Sequence, residues 1–119
     1  MKKFYYLSTC DTCKRIMNQL NLPADVIQQD IKAQPLSETD VNEMHQMSGS
    51  YEALFSKRAR LYKERNLKEK DLKEADFKQL LLEHYTFLKR PVLINNDEIF
   101  IGNSKKTIEM AQISLKNSK

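Results

Sequence analysis

Both cysteines of this chain fall in one short stretch, Phe4-Tyr5-Tyr6-Leu7-Ser8-Thr9-Cys10-Asp11-Thr12-Cys13, at a Cys-x-x-Cys spacing. An aromatic, apolar run of strand type leads into them. A helical pattern follows, with Ile16, Met17 and Leu20 spaced around Asn18 and Gln19. This placement strongly limits what the chain can fold into. A cysteine that opens a helix faces free backbone N–H groups and the positive end of the helix dipole. Both favour thiolate, and cysteines in such motifs titrate at roughly 3.5–7.5 rather than about 8.5. Cys13, one turn further on, is placed to attack an adduct on Cys10, and Lys14 and Arg15 add positive charge nearby. Two other readings compete. Free cysteine also serves as a small buried hydrophobe. A structural zinc site needs four ligands, and two cysteines with the widely separated His45 and His84 lack that spacing, so no metal is expected.

A length of 119 residues fits one domain with a core of its own. No apolar run approaches the roughly 20 residues that span a bilayer. The apolar run after Met1-Lys2-Lys3 stops well short of the roughly 7–15 residues of a signal peptide and reads as a first strand. Two cysteines without an export signal point to the reducing cytoplasm, where a disulfide is transient and catalytic. The net charge of +4 is compatible with an anionic substrate. The basic residues between 57 and 73 alternate with Glu64, Glu69 and Asp71, as on a solvated face. No nucleic-acid signature is present, so neither nucleic acid nor membrane is expected as a partner.

In order, residues 3–8 read as a central strand, Cys10 to about Leu20 as a helix ended by Asn21-Leu22-Pro23, and Asp25–Ile31 as a second strand. The opening is therefore a βαβ unit with its cysteine pair at the first βα turn, the edge where ligands of open α/β sheets bind. Ser37-Glu38-Thr39-Asp40 starts a helix, with Leu36 and Val41 as a hydrophobic staple and Met44 on the same face. His45 falls off that face and is expected to be exposed. A helix is expected from Leu72 to Tyr85, with Phe77, Leu80, Leu81 and His84 on one side and His84 complementing its C-terminal dipole. Val92–Asn95 and Glu98–Ile101 read as a hairpin, and Ser104 caps a last helix with Ile108, Ala111 and Leu115 inward. The tail Lys116–Lys119 is expected to fray.

A βαβ unit, a helical middle, a β-hairpin and a helix make an α/β fold of thioredoxin-like (glutaredoxin-like) plan. The expected layout is a single domain over 1–119 with a helical insert at about 36–87. In folds of this plan a cis-proline facing the cysteines opens the third strand, and Pro91 stands there. A trans proline that simply starts a strand is the alternative. At this point the chain resembles the arsenate reductase ArsC family of thioredoxin-fold proteins, which also includes the Spx regulators and the YffB-type proteins. The resemblance rests on Tyr5 to Arg15, on the helix ending Leu81-Leu82-Glu83-His84, and on Leu88-Lys89-Arg90-Pro91 followed by two strands and Gly102.

The resemblance implies a cytoplasmic thiol oxidoreductase with Cys10 as nucleophile and Cys13 as resolving thiol. Arg90 would hold an oxyanion such as arsenate, with Thr12 and Arg58 also assigned to substrate binding. No bound cofactor is implied. Glutathione or glutaredoxin would serve as reductant, thioredoxin is a further possible partner, and the chain would act as a monomer on a small oxyanion or a disulfide. A guanidinium beside a helix start suits such an anion chemically. The reductases of the family surround their cysteine with three arginines, and here only Arg90 has a direct counterpart. The others would fall near Ser56 and near Gly102 or Asn103, so Arg58, Arg60 or Arg15 would have to substitute. The alternative within the same resemblance is a Spx-like switch, in which a Cys10–Cys13 disulfide regulates binding to RNA polymerase.

Overall fold

A computed structural model describes residues 1–117 of the chain. The elements are β1 (Lys2–Tyr6), α1 (Asp11–Leu20), β2 (Ile27–Asp30), α2 (Glu38–Ser48), α3 (Arg60–Glu64), α4 (Glu74–Glu83), β3 (Val92–Asn95), β4 (Glu98–Ile101) and α5 (Lys105–Asn117). Short 3-10 turns lie at Glu52–Leu54, Leu67–Glu69 and Tyr85–Phe87. The chain forms two compact units, one made of Met1–Gln34 with the segment from Arg90 onward, the other of Pro35–Lys89.

The first unit is a four-stranded sheet in the order β2-β1-β3-β4. β1 and β2 run parallel, while β1–β3 and β3–β4 are antiparallel. This is the thioredoxin-like arrangement. Side chains alternate across a strand, and the register pairs Phe4 with Leu93 and Leu93 with Phe100 on one face. There Phe4 and Leu93 pack with Ile16 and Leu20 of α1 and with Ile108, Ala111 and Leu115 of α5. Each such side chain, fully buried, contributes roughly 1.5–3 kcal/mol. On the opposite face Tyr5, Val92 and Ile94 are also buried. The second strand is shorter than the expected 25–31, because Val26 donates its N–H to Pro23 and closes a turn. Ile27, 59% exposed, then opens an edge strand. The hairpin turn places Asn96 in the left-handed region at φ 58°. Ser104 accepts the Thr107 N–H at 3.1 Å and caps α5. That helix is intact through Asn117, and the rest of the tail, Ser118 and Lys119, lies outside the described residues.

The second unit is helical. Ser37 and Asp40 exchange side-chain-to-backbone bonds at 3.1 and 3.0 Å, a capping box that starts α2, with Leu36 and Val41 buried beside it. Gly49, at φ 79°, ends the helix in a conformation that glycine adopts without strain. His45 is half-buried rather than exposed, because its ring stacks on Tyr51 at 4.0 Å. α4 ends before His84, whose extended backbone leaves the helix. His84 Nδ1 accepts the Thr86 N–H at 3.0 Å and opens a 3-10 turn, so the imidazole caps a turn instead of placing a cation at a helix end. Phe55 anchors the interior, with ring centroids 4.9 Å from Phe77 and 5.2 Å from Phe87. Along the basic stretch Lys57 pairs with Glu52, Arg60 with Glu64, Arg65 with Glu83 and Lys73 with Asp71. These exposed pairs form a solvated charged face on which water and salt screen each attraction. Among the described residues no helix is long and apolar enough to cross a membrane.

Candidate thiol site

Cys10 is the N-cap of α1. Its backbone is extended (φ −101°, ψ 111°) and its carbonyl accepts the Lys14 N–H at 3.2 Å, the first bond of the helix. Its own N–H donates to the Leu7 carbonyl at 3.0 Å, so the loop between β1 and α1 closes as a tight turn onto the cysteine. Cys10 is partly exposed, Cys13 is buried, and both are free thiols.

The two sulfurs are driven in opposite directions. Burial pushes the Cys10 thiol up, but the backbone N–H of Cys13, the Cys13 thiol, the Arg90 charge and the Thr12 N–H outweigh it and leave Cys10 below its ordinary value. The Cys10 sulfur closes no full capping hydrogen bond. It still lies in the field of the N–H groups at the helix start, and this favours thiolate. Burial dominates at Cys13 and, with its hydrogen bond to Cys10 and the like charge there, pushes its thiol up to about 11, against a lowering backbone bond from Leu7 and the lowering charge of Arg90. The surface sulfur is thus favoured toward thiolate relative to an ordinary cysteine, and the buried one beneath it toward thiol.

Arg90 and Pro91 reach this site through the sheet. Val92 of β3 pairs with Tyr5 of β1, which sets Arg90-Pro91 beside the end of β1 from which the Cys10 loop departs. The Arg90–Pro91 peptide is cis and Pro91 is buried. The Pro91 carbonyl accepts the Gly102 N–H at 2.9 Å, with Gly102 at φ 92°. Thr12 enters through its backbone N–H at the second position of α1. Lys14 and Arg15 are exposed on α1. Arg58 belongs to the Pro35–Lys89 unit, where it is exposed and donates its N–H to Ser56 Oγ at 3.4 Å. Among the described residues no group of three or more His, Cys, Asp or Glu side chains could hold a metal ion.

A match to the family model described as "ArsC family" runs over residues 5–111. The chain belongs to the ArsC family. The ArsC fold is also plain in three solved structures. The YFFB protein is 18% identical, with 97% of this chain and 99% of that one covered at a TM-score of 0.78. An arsenate reductase from Vibrio cholerae is 19% identical over 96% of this chain and 97% of its own, at a TM-score of 0.76. An arsenate reductase (ArsC) related protein from Brucella melitensis is 20% identical over 92% of each chain, at a TM-score of 0.70. At such identities the likeness speaks for the fold alone. Among curated proteins none matches.

One feature of this ArsC site has only a faint sequence signal. Asp30, the last residue of β2, accepts the backbone N–H of Ser8 at 3.1 Å, two residues before Cys10. An acidic residue closing a strand in Gln28-Gln29-Asp30-Ile31 is the only hint of it.

Proposed function

We propose that this chain is a thiol oxidoreductase whose Cys10 thiolate attacks an oxyanion of the arsenate type or a disulfide. The observation that carries the reading is the opposed tuning of the two sulfurs, Cys10 toward thiolate and Cys13 toward thiol, at one helix start beside Arg90. With arsenate, the Cys10 sulfur would bond to arsenic(V) as water leaves. A second thiol would then attack the Cys10 sulfur. The sulfur–arsenic bond breaks with its electron pair going to arsenic, arsenite departs, and a disulfide remains. Arg90 would balance the anion's charge. Cys13 or glutathione would supply the second thiol, and glutathione, glutaredoxin or thioredoxin would reduce the disulfide. The tuning also supports an order of events. The hydrogen bond and charge of Cys10 help to hold the Cys13 proton. Once bonded to substrate, the Cys10 sulfur no longer carries the thiolate charge or accepts that hydrogen bond as strongly, and Arg90 would offset the charge that an anionic substrate brings.

A second reading, a Spx-like switch acting on RNA polymerase, draws on the same pair. Two free thiols in one helical turn can close on each other when an oxidant such as a peroxide or a low-molecular-weight disulfide takes up their two electrons and two protons. Turnover separates the readings. Steady arsenate reduction with glutathione and glutaredoxin, lost in Cys10→Ser and cut by at least tenfold in Arg90→Ala for want of the anion's counter-charge, is the expected outcome. No turnover, with a reversible Cys10–Cys13 disulfide, would remove arsenate and leave disulfide reduction or the switch.

A further inference from the structure

The loop that delivers Cys10 is held by a side chain from another strand. Asp30 Oδ1 accepts two backbone N–H groups, from Ser8 and from Lys32, each at 3.1 Å. The Ser8 side chain bonds to the same carboxylate. Asp30 is paired with Tyr6 in the parallel ladder, and Ile31 donates its N–H to the Tyr6 carbonyl at 2.9 Å. The carboxylate thus ties the first residues beyond β1 to the end of β2. Ser8 sits between Leu7, whose carbonyl accepts the Cys10 N–H, and Thr9, which joins it to Cys10. With Ser8 fixed, the turn is fixed, and with it the place of the sulfur at the helix start.

From this geometry we infer that Asp30 is a positioning residue for the Cys10 thiolate, acting through Ser8 rather than by its own charge. The inference rests on the reading of Cys10 as the reactive thiolate. Its sign separates it from a simple electrostatic role. A carboxylate near a thiol disfavours a second negative charge, so removing it by charge alone would lower the Cys10 value. Removing an anchor does the reverse. The sulfur drifts from the Cys13 and Thr12 N–H groups and from Arg90, and its value rises. The charged groups acting on the two ends of this linkage are Lys32 at Asp30 and Arg90 at Cys10, where Cys13 acts as a neutral hydrogen-bond donor. The Asp30 carboxyl is itself held below its ordinary value, first by the Ser8 side chain.

The test is the pH profile of Cys10 alkylation by iodoacetamide in the full chain, with the modified residue identified by mass, for wild type, Asp30→Ala and Asp30→Asn. In Asp30→Ala the midpoint should rise by about one pH unit, a roughly tenfold loss of thiolate at pH values below it. Asp30→Asn keeps an oxygen that can accept the Ser8 N–H but not the charge, so its midpoint should stay at or slightly below that of wild type, well short of alanine. A depressed wild-type midpoint that stays put or falls in Asp30→Ala overturns the role of Asp30 alone. Should the alanine variant fail to fold, Asp30→Val, which also lacks the accepting oxygen but suits a strand, decides by the same rule, a rise supporting the role and no rise overturning it. An ordinary wild-type midpoint overturns the thiolate reading itself, and this inference with it.

Discussion

The sheet unit and the helical unit are stabilised by different means. In the sheet unit order comes from partners distant in sequence, since β1 pairs with β2 on one side and with β3, some ninety residues away, on the other. In the helical unit the elements are short, with α3 spanning only five residues, and many ends are closed by side chains acting on nearby backbone. The same device serves both. Asp30 gathers the Ser8 N–H of the cysteine loop and the Lys32 N–H beyond its own strand, and Glu74 gathers those of Tyr51 and Glu52 at 2.7 and 3.1 Å with Ser50 Oγ at 3.4 Å. Yet only one of the two anchored loops carries a cysteine. A carboxylate clamp is a general way to order a turn, and it gains chemical meaning from what the turn presents.

Core truncation tests this division most severely. Phe4 and Phe55 are both buried, each within its own unit. Replacing either by alanine should cost about 3–5 kcal/mol in chemical denaturation. The readouts should then diverge. Phe4→Ala should lower amide protection across the sheet and raise the alkylation midpoint of Cys10. Phe55→Ala should lower protection within 35–89 and leave that midpoint in place. A shifted Cys10 profile in Phe55→Ala would break the division and bring side chains of the helical unit, Arg58 first, into the account of the thiol.

How much was legible in the sequence follows the same boundary. Local rules sufficed for the cysteine turn, because a strand, a Cys-x-x-Cys and a 3.6-residue pattern are contiguous from Phe4 to Leu20. They also sufficed for Ser37, whose partner lies three residues on, and for the last helix, whose inward face of Ile108, Ala111 and Leu115 is buried. They failed where a distant or off-pattern partner decides. His45 has no place on the apolar stripe, but Tyr51 gives its ring a stacking surface. His84 continues the leucine pattern, yet bonding to the Thr86 N–H holds it outside the helix. Asp30 reads as an ordinary strand residue, and its bond to Ser8 exists only because β2 pairs with β1. The strand after Arg90-Pro91 was legible as half of a hairpin, but its pairing with β1, which sets Arg90 beside the cysteine, came from the resemblance and not from periodicity.

A milder comparison sets the local cap of the helical unit against the long-range clamp of the sheet unit. Ser37→Ala removes the oxygen that accepts the Asp40 N–H and should cost about 1 kcal/mol. Because the capping box is confined to residues 37–40, amide protection should fall in the first turn of α2 and nowhere in the sheet, as hydrogen exchange would show. A loss of protection that spread evenly through the chain would mean that the cap is needed for the helical unit as a whole.

The smallest effect is expected at Glu74, and its pH dependence is the informative part. The carboxyl is held below its ordinary value, first by the Tyr51 N–H, with the Glu52 N–H, Ser50 and the charge of His45 adding to it. A carboxyl depressed in the folded state adds stability above its unfolded pKa, and this is lost as pH falls through the folded one. Glu74→Gln keeps an accepting oxygen but has no proton to gain. The variant should therefore be slightly less stable than wild type near neutrality and should converge with it in acid, below the carboxylate range. Its urea midpoint followed from neutral to acidic pH checks this. Glu74 is exposed, so water competes for each of its partners and the gap should stay small. A constant gap at every pH would show that packing of the side chain, not its charge, holds the turn, and the likeness to the Asp30 clamp would then be one of shape only.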